Sequence, residues 1–312
     1  MKRPTRSARS VLNMAESHDV VVLGCGLMGS ALARAFAAGG YSTAAWNRTH
    51  ERAEALTADG VRAITDVREA VASAPLIVTC VTDYGATLEA FGNIADLAGK
   101  TVVNLGSGAP DEVVAFEAAM AERGGESVDG SIICYPQSIG TAEGAIVYSG
   151  SPETWARHEK TLMTLGGSSA YVSDLVTASS VLNIALVGAF FVASLSAFVE
   201  ATSYVLKEGV DPALLAAMTP ITLDFLGRTA ADAITEIATG QYETDQATID
   251  TYLAGLEPAL VCIEAAGLQT RVIDAAVENL RAASAAGFGS RGFAAHAEIL
   301  ARRTPAFDGS RA

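Results

Sequence analysis

The chain has 312 residues, half of them hydrophobic and only 18% charged, with a formal net charge of −14. This composition excludes a disordered chain, which would be poor in apolar residues and rich in charge. The acidic surface repels phosphate backbones, which argues against a nucleic-acid partner.

At about 150 residues per domain, the length predicts two domains. Cys25, Cys80, Cys134 and Cys262 show no C-x-x-C spacing, and the four histidines lie far apart. The pattern predicts no disulfide framework and no metal site, and a cytoplasmic location.

Residues 1–17 open with the basic, polar stretch MKRPTRSARS. A secretory signal would follow such charges with about 7–15 apolar residues. The segment is therefore read as a flexible extension, with Met1 or Met14 as the natural start. DVVVLGC (19–25) is a short apolar run ending in glycine, the pattern of a buried parallel strand. GSALARAFAAG (29–39) has helical spacing, ended by Gly39-Gly40.

Between them lies Gly24-Cys25-Gly26-Leu27-Met28-Gly29, a G-x-G-x-x-G match in the strand–turn–helix context that gives it meaning. Gly24 permits the tight turn, Gly26 lacks the Cβ that would block a pyrophosphate, and Gly29 lets helix and strand pack closely. The helix N-terminus then offers unpaired N–H groups to the phosphates.

STAAWNRT (42–49) is the next strand, and THERAEALTADG (49–60) a helix with Thr49 as N-cap. An NAD site would place Asp or Glu at the end of this second strand. Here it reads Trp46-Asn47-Arg48-Thr49. Arg48 can pair with a 2′-phosphate, and Asn47 and Thr49 can donate hydrogen bonds to it. The cofactor expected is NADPH; the competing reading makes Arg48 a solvated surface residue.

APLIVTCV (74–81) and TVVNLG (101–106) are further strands, DEVVAFEAAMAERGG (111–125) a helix and ESVDGSII (126–133) a strand. This alternation predicts a parallel sheet with helices on both faces. Cys80, Val81 and Ser107 fall at carboxyl ends of strands, where ligands bind in such sheets. Cys80 and Cys134 read as small apolar fillers rather than nucleophiles.

From about residue 174 the spacing is helical to about 286, with Gly209, Gly240, Gly267 and Gly287 as punctuation. Ser173 or Asp174 is the expected N-cap of a long helix. Leu175 to Val199 carries no charge and is long enough to cross a bilayer, for which about 20 residues suffice. It contains Thr177, Ser179, Ser180, Asn183, Ser194 and Ser196, and no Lys/Arg cluster flanks it. The expectation is a helix buried on nearly all sides, in a core or a dimer, and no membrane span; a membrane anchor is the competing reading. Ser179, Ser180 and Asn183 share one face, a polar stripe expected to line a cavity.

GLMGSALARAF, the NRT ending the second strand, NLGSGAPDE (104–112), VDGSIICYPQSIGTAEGAIVYSG (128–150) and the long apolar helix resemble the imine reductases of the β-hydroxyacid dehydrogenase superfamily, over residues 19–303. The resemblance implies an α/β fold: a Rossmann domain (18–173), an interdomain helix (174–208), an all-helical substrate and dimerisation domain (209–303) and a flexible tail (304–312). It also implies an intertwined homodimer and NADPH-dependent reduction of a C=N bond, with cyclic imines the expected substrates.

In the superfamily, hydroxyacid dehydrogenases carry a lysine early in the long helix, and imine reductases usually Asp or Tyr. The matching stretch here is Val181-Leu182-Asn183-Ile184-Ala185-Leu186-Val187, and no lysine occurs between Lys160 and Lys207. Ketone reduction makes a basic alkoxide and needs a proton donor, whereas an iminium already carries its proton. Asn183 is therefore the expected catalytic position, able to hydrogen-bond an imine N–H or a water but unable to titrate. The competing reading is an asparagine that satisfies a neighbour inside the helix.

By resemblance, Cys80 and Val81 flank the cofactor ribose and Ser107 faces nicotinamide and substrate. Phe191 contacts substrate, and Phe225 and Tyr252 line the pocket from the partner chain, unless these aromatics simply pack a core. Two other functions stay open: a β-hydroxyacid or alcohol dehydrogenase of the same fold, and a non-catalytic NADPH-binding protein.

Overall fold

A computed structural model describes residues 17–300. The expected extension at 1–16, the choice between Met1 and Met14, and the tail at 304–312 lie outside the described residues. The chain forms two compact units that divide between Ala189 and Phe190, inside the long helix.

The first unit is built on an eight-stranded sheet: β1 (Val20–Leu23), β2 (Thr43–Trp46), β3 (Arg62–Ala63), β4 (Leu76–Thr79), β5 (Thr101–Asn104), β6 (Glu126–Ile132), β7 (Ile146–Gly150) and β8 (Ala170–Ser173). The order is β3-β2-β1-β4-β5-β6-β7-β8. The helices are α1 (Leu27–Ala38), α2 (His50–Glu54), α3 (Val67–Ala72), α4 (Tyr84–Phe91), α5 (Pro110–Glu122) and α6 (Pro152–Leu162).

Alternation along the inner strands serves both faces. Val20 and Val22 pack with Leu32 and Phe36 of α1, while Val21 and Leu23 pack with Ile77, Phe91 and Phe116 on the other side. Each such fully buried side chain contributes about 1.5–3 kcal/mol. Two-sided burial is why these strands read as unbroken apolar runs.

Three expectations need correction. β6 and β7 pair antiparallel, with Gly130 opposite Tyr148, so the sheet is mixed at that edge. The helix expected over 49–60 is a short one, α2, followed by a 3₁₀ turn; Thr49 does stand at its N-cap, without a capping hydrogen bond from its hydroxyl. Neither Ser173 nor Asp174 caps the long helix: it starts at Ala178, after Thr177, and Ser173 Oγ instead accepts the Leu175 N–H at 3.0 Å.

The long helix runs from Ala178 to Lys207 as α7 (Ala178–Leu182), a π-helical stretch (Asn183–Phe191) and α8 (Val192–Lys207). Helices α9 (Pro212–Thr239), α10 (Ile249–Ala265) and α11 (Arg271–Ala283) follow. Asp211 and Thr248 accept first-turn N–H groups at the starts of α9 and α10. Gly209, Gly240, Gly267 and Gly287 all have positive φ, which glycine adopts without steric cost.

The second unit's core gathers Tyr242, Ile249, Leu280 and Ala283. Burial of the long helix on nearly all sides is not what one chain provides: Ile184, Phe190, Leu195 and Val199 are each about half exposed. This is the one helix among the described residues long and apolar enough to cross a membrane.

Candidate active site

The strand order reverses between β1 and β4, and their carboxyl ends open a cleft of about 710 Å³. Gly24, at φ +102°, sits where a Cβ would lie 2.4 Å from the Cys80 carbonyl oxygen. Gly29 is tighter still: a Cβ would lie 1.8 Å from the Gly24 carbonyl oxygen. Gly26 is the opposite case, with no atom within 4 Å of the same construction. Two glycines thus let the chain pack on itself, and the third keeps the cleft side clear. Helix α1 begins at Leu27 with no side-chain cap and no acidic residue in its first turn, so its N–H groups face the cleft uncompensated.

At the end of β2, Asn47 Oδ1 accepts the Cys25 N–H at 2.8 Å, and Nδ2 donates to the Thr49 carbonyl at 2.8 Å. Its amide ties the glycine turn to the following loop. Arg48 and Thr49 are exposed on the cleft wall, and Arg48 has no ion pair among the described residues. Arg52 of α2 joins them there, four residues after Arg48. Glu89 lines the wall as well.

Cys80 and Val81 also line this cleft, with Leu27 and Met28. Burial pushes the thiols of both Cys25 and Cys80 up to about 11, so both are neutral at physiological pH and pack as small apolar groups.

A second cavity, of about 460 Å³, opens beyond the ends of β5 and β6. Ser107, Ser131 and Asn183 supply its polar lining, and Ile132, Ile184 and Val187 much of its apolar lining. No lining residue titrates. Ser107 is held by a bridge to Asp83, and its neighbour Gly108 has no room for a Cβ, which would lie 2.2 Å from the Tyr84 ring. Asn183 opens the π-helical stretch and carries no hydrogen bond from its amide among the described residues. π-Helical turns are rare and recur at functional sites.

The structure brings together Ser107 and Asn183, but not the whole polar stripe expected on the helix. Ser179 and Ser180 are buried: Ser179 bonds into the sheet, and Ser180 Oγ donates to the Thr177 carbonyl at 3.0 Å. Residues 105–189 alone supply the cavity wall. Phe191 and Phe225 belong to the second unit and are 45% and 59% exposed. Tyr252 packs edge-on against Phe293, ring centroids 5.0 Å apart, in that unit's core.

Sequence reasoning missed Ser131, Arg52 and a buried network centred on Asp129. The available signal was a carboxylate, Asp129, in the middle of the strand ESVDGSII rather than at its end. Asp129 Oδ1 accepts from the Tyr84 hydroxyl, and Oδ2 from the Ser179 hydroxyl. Burial pushes its carboxyl up to about 6, against those hydrogen bonds, which pull it down.

Comparison with known proteins follows the same division. Residues 19–177 match the family described as the NAD binding domain of 6-phosphogluconate dehydrogenase. Residues 176–302 match the NADPH-dependent reductive aminase-like C-terminal domain. The chain is 28% identical over 247 residues to an NADPH-dependent reductive aminase from Aspergillus oryzae, covering 77% of this chain and 83% of that protein.

Among solved structures, an imine reductase from Pseudomonas sp. superposes with a TM-score of 0.86 at 31% identity, covering 91% of this chain and all of the other. A reductive aminase from Aspergillus terreus in complex with NADPH and ethyl levulinate gives 0.85 at 26% identity, covering 91% and 99%.

Proposed function

The chain belongs to the imine reductases and reductive aminases of the β-hydroxyacid dehydrogenase superfamily, and from that membership we propose how its residues divide the work. It reduces imines to amines with NADPH.

The cleft fits that cofactor on its own geometry. At Gly26 the wall is open where any Cβ would project, and the free N–H groups of Leu27, Met28 and Gly29 suit a pyrophosphate. Arg48, Thr49 and Arg52 would hold the 2′-phosphate, which a carboxylate at Asn47 would repel. Asn47 acts by bracing the two loops, and Cys80 and Val81 by closing the floor. Arg48→Ala is expected to weaken NADPH binding about 10- to 100-fold, the loss of a charge-assisted pair, with NADH binding unchanged. Titration by nicotinamide fluorescence checks it, and equal losses for both cofactors would contradict the assignment.

When bound, NADPH supplies the hydride. The chain supplies a place for the acceptor. Asn183 and Ser107 offer hydrogen bonds to the imine nitrogen from two sides of the cavity, while Ile132, Ile184 and Val187 keep water out. The observation that carries this reading is a cavity with an amide and two hydroxyls and no titratable group. Such a wall can orient an iminium that already holds its proton. It cannot take a proton from an alcohol, as a hydroxyacid dehydrogenase must.

NADPH consumption with pyrroline, piperideine and dihydroisoquinoline imines tests it, with a ketone and hydroxyisobutyrate as controls. Turnover of the cyclic imines and not the controls is expected. Oxidation of the hydroxyacid alone would support the dehydrogenase, and binding without any turnover the non-catalytic protein.

We further propose that two copies associate through the long helix and α9. Ile184, Leu195, Val199, Met218, Ile221 and Leu223 are all about half exposed or more in a single chain, more apolar surface than a soluble monomer presents. A partner would bring its Phe225 and Tyr252 to the open side of the cavity. Light scattering in detergent-free buffer should give twice the 32.1 kDa chain mass. A monomer, or material that sediments with membranes, would contradict this.

A further inference from the structure

Asp129 lies in the middle of β6, 3% exposed, with no cation acting on it among the described residues. An unpaired buried carboxylate is costly unless hydrogen bonds replace its water. Here they come from several elements. Tyr84 of α4 and Ser179 of α7 donate their hydroxyls, and the Asn104 side chain of β5 and the Gly130 N–H also support the charged form.

The donors are themselves tied in. Ser149 Oγ lies 2.8 Å from Ser179 Oγ and accepts the Ser179 N–H at 3.1 Å. Asn104 Oδ1 accepts from Thr79 and Thr87 at 2.8 and 3.1 Å, and its Nδ2 reaches the Gly106 carbonyl at 3.4 Å. Glu112, at the start of α5, is the other carboxylate that bears on the group, through Tyr84.

The network reaches the reaction cavity at three points. Ser179 is one helical turn before Asn183, Gly106 precedes Ser107, and Ser131 is two residues beyond Asp129 on the same strand face. We propose that Asp129 is a positioning residue for the reduction: its ionised carboxylate locks the head of the long helix to the β5 loop and α4, and so sets Asn183 and Ser107 across the cavity from each other. The inference rests on the reductase reading of that cavity.

Ionised, Asp129 accepts both hydroxyls. Protonated, it must donate with one oxygen, and either Tyr84 or Ser179 loses its acceptor. Turnover therefore falls as the pH drops through about 6. Stability runs the other way. The folded chain holds this proton more tightly than the unfolded one, so the stabilising contribution is present at acid pH. It is lost as the pH rises through the window from 3.8 to about 6.

The test uses the full chain with NADPH and a cyclic imine basic enough to stay protonated across the pH window, so that it keeps the N–H that the cavity wall binds and does not itself titrate. The wild type should show an acid limb in kcat. In Asp129→Asn that limb should vanish, with the plateau lowered about 10- to 100-fold by misplacement of the cavity wall and NADPH affinity unchanged. Ser179→Ala removes a hydrogen bond to the charged form, so its limb should move to higher pH; it carries the test alone if Asp129→Asn fails to fold.

An acid limb that survives unshifted in the folded variants, or a wild-type plateau in them, overturns the proposal. No NADPH oxidation by the wild type at any pH overturns the reductase reading instead.

Discussion

Gly29→Ala is expected to cripple the first unit, whereas Gly26→Ala, three residues away in the same motif, leaves it folded and blocks the cofactor. The added methyl at position 29 would stand 1.8 Å from a backbone carbonyl oxygen, far inside contact distance, and neither α1 nor the β1 turn can move without breaking the other. Overpacking against fixed backbone belongs with the largest single-substitution losses, about 4 kcal/mol or more. Little soluble protein is expected, with a strongly lowered Tm.

The methyl at position 26 meets nothing among the described residues. Its melting curve without cofactor should overlay the wild type, while the stabilisation by NADPH disappears. Thermal melts of both variants with and without NADPH check the pair. A Gly26→Ala protein that NADPH still stabilises fully would show that the cofactor lies elsewhere.

The second large effect concerns Asn183. Replacing it with leucine keeps the branched four-atom side-chain skeleton, at a somewhat larger volume, and removes the amide from the cavity wall. The expected result is a fall in kcat for a cyclic imine of about 100-fold, the scale seen when one preorganised donor is lost from a reacting centre. NADPH affinity should be unchanged, because the amide lines the second cavity and not the glycine-lined cleft. Steady-state kinetics with a fluorescence titration separate the two. Unchanged imine turnover would reduce Asn183 to a helix residue without a catalytic part.

The cofactor cleft was legible because its information is local. A buried strand, a glycine turn and a helix start lie within consecutive residues, and each glycine's steric role follows from that order. Position 183 was singled out through the resemblance, which places there the lysine of alcohol chemistry; the fold sets Asn183 on the cavity wall, and its catalytic part is a proposal. The antiparallel entry of β7 was not legible, since IVYSG is apolar and β-branched in either direction and nothing local encodes which way a strand runs. Nor was the two-residue β3, too short to carry a period.

The Asp129 network escaped because its partners, Tyr84, Asn104, Ser149 and Ser179, come from four other elements that meet only in the folded sheet. Composition also cannot tell a helix buried in its own core from one awaiting a partner chain. The long helix was read as buried, yet one chain leaves much of its apolar surface open. The face expected to line a cavity was divided in the same way, with Ser179 turned into the sheet and Asn183 into the cavity.

An uncharged amide standing beside the nitrogen of the acceptor is the centre of the proposed reaction. The most direct measurement is a crystal structure of the chain with NADP⁺ and a cyclic amine product. The expected structure has the Asn183 amide within hydrogen-bond distance of the product nitrogen, Ser107 on the opposite side, and Arg48 against the 2′-phosphate. A product ring bound away from Asn183, with another side chain at its nitrogen, would contradict it.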